Sequence, residues 1–351
     1  MADVEWHSLH VHYHDSGGHD RLLLNAVRPL FERLSRSVDE HYFMQHWRQG
    51  AHLRLNFRCP AETFEGVVVP TTHRIIGDYL AAHPSTSDDD PEELLPLHRD
   101  IAEREDEPGP LLPWYPDNSV RVADYDEQRA GHPSRASSDL VAEFYAASNE
   151  HAIDLIERIQ GGTTSPAGLA FDLLVATVHG LADWGIPVTF LSFRSHADSF
   201  LGGDPNGAQL RAQWETHFDR HAESLAERVR QLVSRLDGAG PPPDHVVDWM
   251  TLMQPVRLSA ARHVAAGHRM LPGEEQEHEP SDYHRALHEM PAWRRIRDSD
   301  EFVVYRLMLN YAFLHLTRIG VRPIDRYMLC HLLANSVERA YGLSAYQAVG
   351  L

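Results

Sequence analysis

The sequence predicts an α+β protein, a single domain in which an antiparallel sheet is covered by several long helices. Two segments near the N-terminus, Trp6 to His14 and His52 to Phe57, alternate between polar and apolar residues, and a period of two is typical of strands. From Ser138 onwards, apolar residues recur with the period of amphipathic helices. The strands are therefore expected early in the chain and the helices mainly later.

The composition excludes several classes of protein. With 351 residues and 42% hydrophobic content, the chain can bury a substantial core as one large domain or two small ones. Its net charge of -19 opposes the phosphate neutralisation on which nucleic-acid binding depends. Neither a cationic leader with an apolar core nor a run of about 18 apolar residues occurs, so the predicted location is the cytoplasm. Cys59 and Cys330 match no metal or redox spacing and are expected to be buried free thiols.

The histidines of the first strand occupy alternating positions. His10, His12 and His14 share one face, and apolar residues share the other. Three imidazoles on one side of a strand can converge on a metal ion. No nearby carboxylate or cysteine completes a coordination shell, and neutral or stacked histidines are commoner on a strand, so no metal is predicted here.

The second alternating segment carries the first candidate site. It follows a glycine turn and an aromatic-rich, strand-like run that begins at His41 and includes Trp47, and it places His52, Arg54 and Asn56 on one face. The other face is apolar and belongs to the core. A row of hydrogen-bond donors beside aromatic residues is typical of the floor of a polar pocket, and the alternative is a half-exposed strand that ends in an arginine.

Helical patterns and breaks organise the rest of the chain. Arg21 to Ser37 carries an apolar stripe and is predicted to be a crossover helix. Residues 84–110, rich in Asp, Glu and Pro, are predicted to form an exposed acidic connection with a short helix near Glu92 to Glu105. Residues 237–244 are predicted to be a proline-rich bend within one architecture. Further helices are expected at Ser138–Gln160, Ala167–Trp184 and Ala208–Leu236, with Gly161 and Gly162 separating the first two.

Two mid-chain segments combine residue types that carry chemistry. Asp126 stands three residues before Arg129, so the two side chains form either a polar cluster or an ordinary surface ion pair. Ser192 to Asp198 holds Arg194 and His196 behind an apolar run. Serine, histidine and aspartate this close in sequence do not form a catalytic triad, but they can bind a substrate.

The C-terminal part supplies the last candidates. His331 and Asn335 are four residues apart and therefore share a face of a strongly apolar helix. A histidine in that setting is more often a core residue than a functional one. Tyr283 lies in a polar, aromatic segment from Ser281 to His284, which is either a contact patch between helices or a plain loop.

In their order along the chain, these segments resemble the lyase domain of class I lanthipeptide dehydratases and its stand-alone relatives in thiopeptide biosynthesis. The family's His-x-Arg-x-Arg stands here as His52-Leu53-Arg54-Leu55-Asn56. Its acid three residues before an arginine, followed by Tyr-Gly-Gly, stands as Asp126 to Arg129 followed by Ala130-Gly131-His132. Its histidine followed four residues later by asparagine stands as His331 and Asn335. The resemblance spans nearly the whole chain and implies the fold of the glutamate-elimination domain.

The departures from the family pattern bear on the activity. In the dehydratases this domain eliminates glutamate from glutamylated Ser or Thr, with arginines gripping the glutamyl carboxylates. Asn56 replaces one of these arginines, and an asparagine cannot supply the charged fork that holds a carboxylate. Among the stand-alone relatives, the chain most resembles the thiopeptide pyridine synthases. These enzymes join two dehydroalanines in a formal [4+2] aza-cycloaddition with loss of water and leader peptide. The alternatives are a stand-alone glutamate-eliminating lyase and a non-catalytic peptide-binding subunit of a biosynthetic complex.

The resemblance also implies a site and its partners. Arg54 and Arg129 are expected to polarise carbonyl groups and His331 to shuttle a proton, where their three segments meet. The partner is a leader-bearing, dehydrated, azole-containing precursor peptide, with the leader held at a strand edge in the N-terminal half and a homodimer left open. No nucleotide, flavin or metal motif occurs, so no cofactor is expected. The predicted substrate contacts are His52, Asn56, Trp47, Asp126, Arg194, His196, Tyr283 and Asn335.

Overall fold

The computed structural model describes residues 3–104, 109–126, 132–272 and 282–348. The chain divides into two compact units, Met1–Gly161 and Gly162–Leu351. The boundary falls at the two glycines that the sequence predicts as a helix break. Two compact units can still belong to one domain, so the single-domain organisation stays a prediction.

The first unit is built on a four-stranded sheet with the order β2-β3-β1-β4, in which every neighbouring pair is antiparallel. The three predicted strands are present as β1, β2 and β3, although β1 ends at His12 and leaves His14 beyond it. β4 is absent from the sequence prediction because it is only five residues long and only partly buried. The strands are β1 Val4–His12, β2 Glu40–His46, β3 His52–Pro60 and β4 Ser119–Ala123.

One face of this sheet is the apolar face that the alternation predicts. Leu9, Val11, Leu53 and Leu55 point into it and have no solvent exposure. Phe31 packs against the same face, with its ring centroid 5.8 Å from that of Phe57. The helices of this unit are α1 His19–Leu22, α2 Arg28–Leu34, α3 Ala61–Thr63, α4 Val69–Ala82, α5 Pro91–Arg104, α6 Arg135–Ala147 and α7 Asn149–Gln160, with π-helical turns at Leu23–Val27 and Phe64–Val68.

The predicted helix Ser138–Gln160 is wrong as one element, since α6 and α7 are separate helices that meet at Ser148. The Ser148 hydroxyl donates a hydrogen bond to the Phe144 carbonyl oxygen at 2.8 Å, which helps to end α6. The Asn149 side-chain oxygen accepts a hydrogen bond from the Phe43 amide of β2 at 3.2 Å. The chain therefore bends next to Asn149, whose side chain hydrogen-bonds to the edge strand β2.

In the described residues of the second unit, the regular secondary structure consists of helices alone. The long helix α15 packs against both α9 and α10. α10 ends at Leu236 and α11 begins at Asp244, so the proline-rich residues connect these two helices. The helices are α8 Pro166–Gly180, α9 Ile186–Gly203, α10 Gly207–Leu236, α11 Asp244–Ala265, α12 Asp282–Glu289, α13 Pro291–Arg297, α14 Asp300–Arg318, α15 Pro323–Tyr341 and α16 Ala345–Ala348.

These observations confirm the predicted α+β class, with a small antiparallel sheet followed by long helices. Cys59 and Cys330 are buried free thiols, as predicted, and burial raises the pKa of each, to about 11 and about 12 respectively. No helix in the described part of the chain is both long and apolar enough to cross a membrane.

Candidate active site

The sheet face opposite the apolar core carries polar side chains and is nevertheless buried. His52, Arg54 and Asn56 are only 2%, 4% and 3% exposed. The alternative of a half-exposed strand is therefore excluded for β3. In the register of the sheet, Arg54 lies beside His10 of β1, and His10 in turn lies beside Arg121 of β4.

The Arg54 guanidinium is hydrogen-bonded to His52, whose tautomer is fixed by its other ring nitrogen. The His52 Nδ1 donates to the Gly50 carbonyl oxygen at 2.8 Å, so its Nε2 accepts from Arg54 Nε at 3.3 Å. Gly50 has a φ of 99°, and a Cβ at this position would lie 2.6 Å from the His14 Nε2. The glycine turn is therefore required for the backbone conformation that orients both His52 and Arg54.

The structure also brings Arg54 to the segment predicted from its acid and arginine pair. Arg54 Nη1 donates to the Asp126 Oδ2 at 2.8 Å, and the two side chains are 5% and 40% exposed. The carboxylate therefore neutralises much of the charge of a buried guanidinium. Arg129, the expected third member of this group, lies outside the described residues.

An aromatic wall borders the polar face. Trp47 contacts His98 edge-on at a centroid distance of 4.9 Å, and His98 stacks on Trp114 at 5.2 Å. The neighbouring Tyr115 ring lies 5.1 Å from His12 and carries the Arg121 guanidinium at 3.8 Å. Of these residues only Trp47 is predicted from the sequence as a substrate contact. The adjacent pair Trp114-Tyr115, in an otherwise polar connection, is the sequence signal that could have revealed the wall.

The histidines on this face are held neutral. Burial, with the nearby Arg54 and Arg121 charges, lowers the pKa of His10 to about 2, and burial with the Arg121 charge lowers that of His12 to about 3. Burial also holds the pKa of His52 well below its usual value. The rings of His10 and His12 both pack on His52, at 4.6 and 4.7 Å, and do not converge on one point. Among the described residues no three His, Cys, Asp or Glu side chains are arranged as metal ligands.

The second unit holds a partly buried chain of hydrogen bonds that contains other predicted residues. Arg194 Nη2 of α9 donates to the Asn335 Oδ1 of α15 at 2.5 Å and to the Glu338 Oε2 at 3.1 Å. Asn335 Nδ2 donates to the His331 Nε2 at 3.1 Å. The predicted shared face of His331 and Asn335 is thus confirmed, and Arg194 joins them from another helix.

This chain of bonds determines the tautomer of His331. Because the Asn335 oxygen accepts from Arg194, its amide nitrogen must face His331, whose Nε2 is then an acceptor. The imidazole proton is left on Nδ1, which has no hydrogen-bond partner in the described part of the protein. Burial first, and then the Arg194 and Arg211 charges, lower the pKa of His331 to about 4. His331 is therefore a neutral imidazole that offers one donor.

Further polar groups surround Arg194. Asp198, one helical turn further along α9, accepts from Arg211 at 2.8 Å and from the Tyr346 hydroxyl at 2.6 Å. Tyr283 is 1% exposed, its hydroxyl lacks a partner among the described residues, and burial raises its pKa. Tyr283 belongs to α12, so the plain-loop alternative for its segment is excluded. The four-residue spacing from Arg194 was the signal that could have selected Asp198.

His196 is not part of this group, although it is only two residues from Arg194. Its ring contacts Phe313 of α14 edge-on at a centroid distance of 5.3 Å, whereas Arg194 faces α15. Residues two apart on a helix point in different directions, which explains the separation. Within the first unit the structure assembles His52, Arg54, Asn56 and Asp126 with Trp47 nearby, and within the second it assembles Arg194, Tyr283, His331 and Asn335.

The buried neutral histidines predict a loss of stability in mild acid. In the unfolded chain each takes up a proton as the pH falls through about 6.5, whereas folded His331 and His12 stay neutral down to about 4 and about 3. The unfolded state therefore binds more protons, and each such histidine should lower the free energy of unfolding by about 2 kcal/mol at about pH 5. Denaturant unfolding followed by circular dichroism from about pH 7.5 to about pH 5 measures this, and a flat stability profile would contradict it.

Comparison with known proteins identifies a family and two solved structures to which this chain is similar. The family model described as the C-terminal part of lantibiotic biosynthesis dehydratases matches residues 6–337. The solved structure of the pyridine synthase TbtD from thiomuracin biosynthesis is 35% identical, with a TM-score of 0.82 over 97% of this chain and 99% of that chain. TsrL is 19% identical, with a TM-score of 0.75 over 99% of this chain and 98% of that chain, and shares the fold. No curated protein matches significantly. The match along nearly the whole chain shows that this protein belongs to the family of the lantibiotic dehydratase C-terminal domain.

Proposed function

We propose that this protein is a thiopeptide pyridine synthase. It joins two dehydroalanines of one modified precursor peptide in a formal [4+2] aza-cycloaddition and then releases water and the leader peptide. The observation that carries the proposal is the 35% identity to a pyridine synthase over 97% of the chain. The site of the first unit supports it independently through its charge.

The replacement of a family arginine by Asn56 favours a neutral substrate over a carboxylate. The Arg54 guanidinium is already paired with the Asp126 carboxylate at 2.8 Å, and no second arginine of β3 stands beside it at position 56. Asn56 on the same face adds an amide and no charge. Such a face suits hydrogen bonding to the amides and carbonyl groups of a dehydrated peptide, which carry no charge of their own.

The chemistry demands positioning above all. Two alkenes that are far apart in a flexible peptide must be held in contact, and good orientation can supply about 7 to 11 kcal/mol of the barrier. The amide before one dehydroalanine reacts as its iminol, so a donor must face its oxygen and a base must take its proton. We assign the donor role to Arg54, with Arg129 as a second donor, and the proton transfer to His331.

The state of His331 refines this role. In this neutral imidazole Nε2 accepts from Asn335, so the group that faces the substrate is the Nδ1–H, and Nε2 must release Asn335 before it can take the amide proton. The Nδ1–H can donate to a carbonyl oxygen or to a leaving group. Tyr283 and Arg194 are proposed as secondary contacts in the same unit, and His196 stays a predicted contact that lies on another face of α9.

The reaction proposed here balances without an oxidant or a reductant. The cycloaddition forms two carbon–carbon bonds, and loss of water and then of the leader as its amide each creates one further ring double bond. The ring therefore becomes aromatic by elimination alone. This is why we expect the enzyme to work without a cofactor.

The leader is proposed to bind at the outer edge of β4, which pairs with no further strand among the described residues. The opposite edge strand, β2, already donates its Phe43 amide to Asn149. β4 is hydrogen-bonded to β1 on one side and is not fully buried, and Val122 is 52% exposed. An extended leader can add to such an edge through backbone hydrogen bonds. A homodimer stays a prediction.

A glutamate-eliminating lyase is the second candidate, because the family to which the chain belongs includes the dehydratases. The two functions differ in substrate and product, so one pair of substrates separates them. A dehydrated, azole-bearing precursor should lose its leader and gain a pyridine chromophore, whereas a glutamylated serine peptide should pass through unchanged. Mass spectrometry and absorbance spectra measure both.

The same incubation tests the cofactor expectation. Turnover should persist in EDTA with nothing added, whereas loss of activity that zinc restores would contradict it. Release of free glutamate at a rate comparable to pyridine formation would favour the lyase. If the protein binds the precursor but forms neither product, the result would favour the peptide-binding subunit.

A further inference from the structure

One face of β1 carries a continuous row of buried polar atoms that lack partners. Ser8 Oγ, His10 Nε2, both ring nitrogens of His12 and the His14 Nε2 are buried and make no hydrogen bond to any described residue. These four residues alternate along the chain from β1 into the residues just beyond it, and we call them the β1 row. The other side of β1 is apolar and closely packed.

Such a row is costly for the folded protein. A buried polar atom without a partner has lost its hydrogen bonds to water and gained none in return. One such atom in a protein is tolerable, but four consecutive same-face side chains with unpartnered atoms call for an explanation. A single group of this kind is explained by a functional role, strain, an ordered water or an ion, whereas a continuous row on one face favours a ligand that lies along it.

The spacing of the row identifies the shape of that ligand. The His10 and His12 ring centroids are 6.3 Å apart, and those of His12 and His14 are 6.4 Å apart. An extended peptide advances about 6.4 to 6.8 Å for every two residues. One imidazole is therefore available for every second residue of an extended chain lying along β1.

The chemistry of the row identifies the charge of the ligand. A neutral imidazole offers one donor and one acceptor, which matches the amide N–H and the carbonyl oxygen of a peptide. The neighbours in the sheet are Arg54 on β3 and Arg121 on β4, so a cationic segment would be repelled. The pKa values of His10 and His12, lowered to about 2 and about 3, keep the imidazoles in this neutral form.

We propose that the β1 row is a subsite that binds an extended, uncharged segment of the substrate peptide beside Arg54. This inference rests on the proposed function, since it assigns part of the same site to the modified core of the precursor and not to its leader. The groups it receives are backbone amides and azole rings, which hydrogen-bond to or stack on neutral imidazoles.

The aromatic wall covers part of the row in the free protein. Tyr115 lies 5.1 Å from His12, and Trp114 lies 5.8 Å from His14. This stretch is attached to the glycine turn through the Tyr115 amide, which donates to the Gln49 carbonyl oxygen at 3.1 Å. A peptide that occupies the row must displace these rings and break that hydrogen bond.

His12→Phe and His10→Phe test the proposal, because phenylalanine keeps a ring for stacking and removes the nitrogens. Each variant should bind the dehydrated, azole-bearing precursor about 10-fold more weakly, as expected for loss of hydrogen bonds to a bound ligand. Affinity for the leader alone should not change, and the melting temperature should be at or above that of the wild type. Fluorescence anisotropy of labelled peptides and thermal unfolding measure these quantities.

His7→Phe is the matched control. His7 belongs to the same strand but faces the other side, stacks on Phe64 at 4.4 Å and already has a partner for its Nε2 in the Cys59 carbonyl oxygen at 3.1 Å. It should leave the affinity for the precursor unchanged. Wild-type affinity in both row variants, or an equal loss for precursor and leader, would overturn the proposal.

Hydrogen exchange on the wild-type protein gives a second measurement that does not depend on the folding of a variant. The precursor should speed exchange of the Tyr115 amide, and the leader alone should not. No change at this amide would also overturn the proposal. Because precursor binding and pyridine formation are separate readouts, a wild type that binds through the row but forms no pyridine would count against the proposed function alone.

Discussion

Arg54→Ala is expected to lower the turnover of the dehydrated precursor by about 100-fold or more, the range for loss of a positioned donor. The guanidinium is fixed by His52 at 3.3 Å and by Asp126 at 2.8 Å, so the donor is preorganised before the substrate arrives. Leader affinity should stay at the wild-type level. Turnover measured by mass spectrometry, with leader affinity measured by anisotropy, separates the two.

Arg58→Ala is the control for this variant. Arg58 lies on the same strand, but it is exposed and pairs with Glu40 at 2.7 Å. Arg54→Lys tests the geometry, because a lysine carries the charge but cannot bridge His52 and Asp126. Full activity in Arg54→Ala, or equal losses of turnover and leader binding, would show that Arg54 does not have the proposed role.

His331→Ala should lower turnover to a similar extent, and its effect should depend on the residues that hold the imidazole. Asn335→Asp replaces the amide donor by a carboxylate, which accepts a hydrogen bond and so moves the proton from Nδ1 to Nε2 of His331. We expect this variant to fold, because Arg194 gains a charged partner, and to lose turnover by about 100-fold. Nitrogen-15 chemical shifts of the imidazole report the tautomer directly.

His315→Ala controls for the loss of a buried histidine. His315 is fully buried in the same unit, with its ring 4.8 Å from that of Trp249, and it is remote in role from the Arg194 network. It should affect stability more than turnover. An Asn335→Asp variant that changes the tautomer but keeps wild-type turnover would remove His331 from the proton transfer and leave it a structural residue.

The parts of the site that the sequence predicts are those set by local spacing. A period of two placed His52, Arg54 and Asn56 on one face of β3, and a spacing of four placed His331 beside Asn335 at 3.1 Å. Local rules fail at interruptions, as in the helix that Ser148 divides. Local rules also cannot predict that His196 and Arg194 contact different helices, because both of those helices are distant in sequence.

The sequence by itself determined the α+β class, the two alternating strands, the free thiols and the neighbouring residues of each motif, because periodicity within a strand or helix decides which side chains share a face. Only the tertiary structure decided the partners. Arg54 meets Asp126 across 72 residues, and Arg194 meets Asn335 across 141. Such pairs depend on strand register and helix packing, which many distant residues set together. The first pair neutralises much of the charge of Arg54, and the second determines the tautomer of His331.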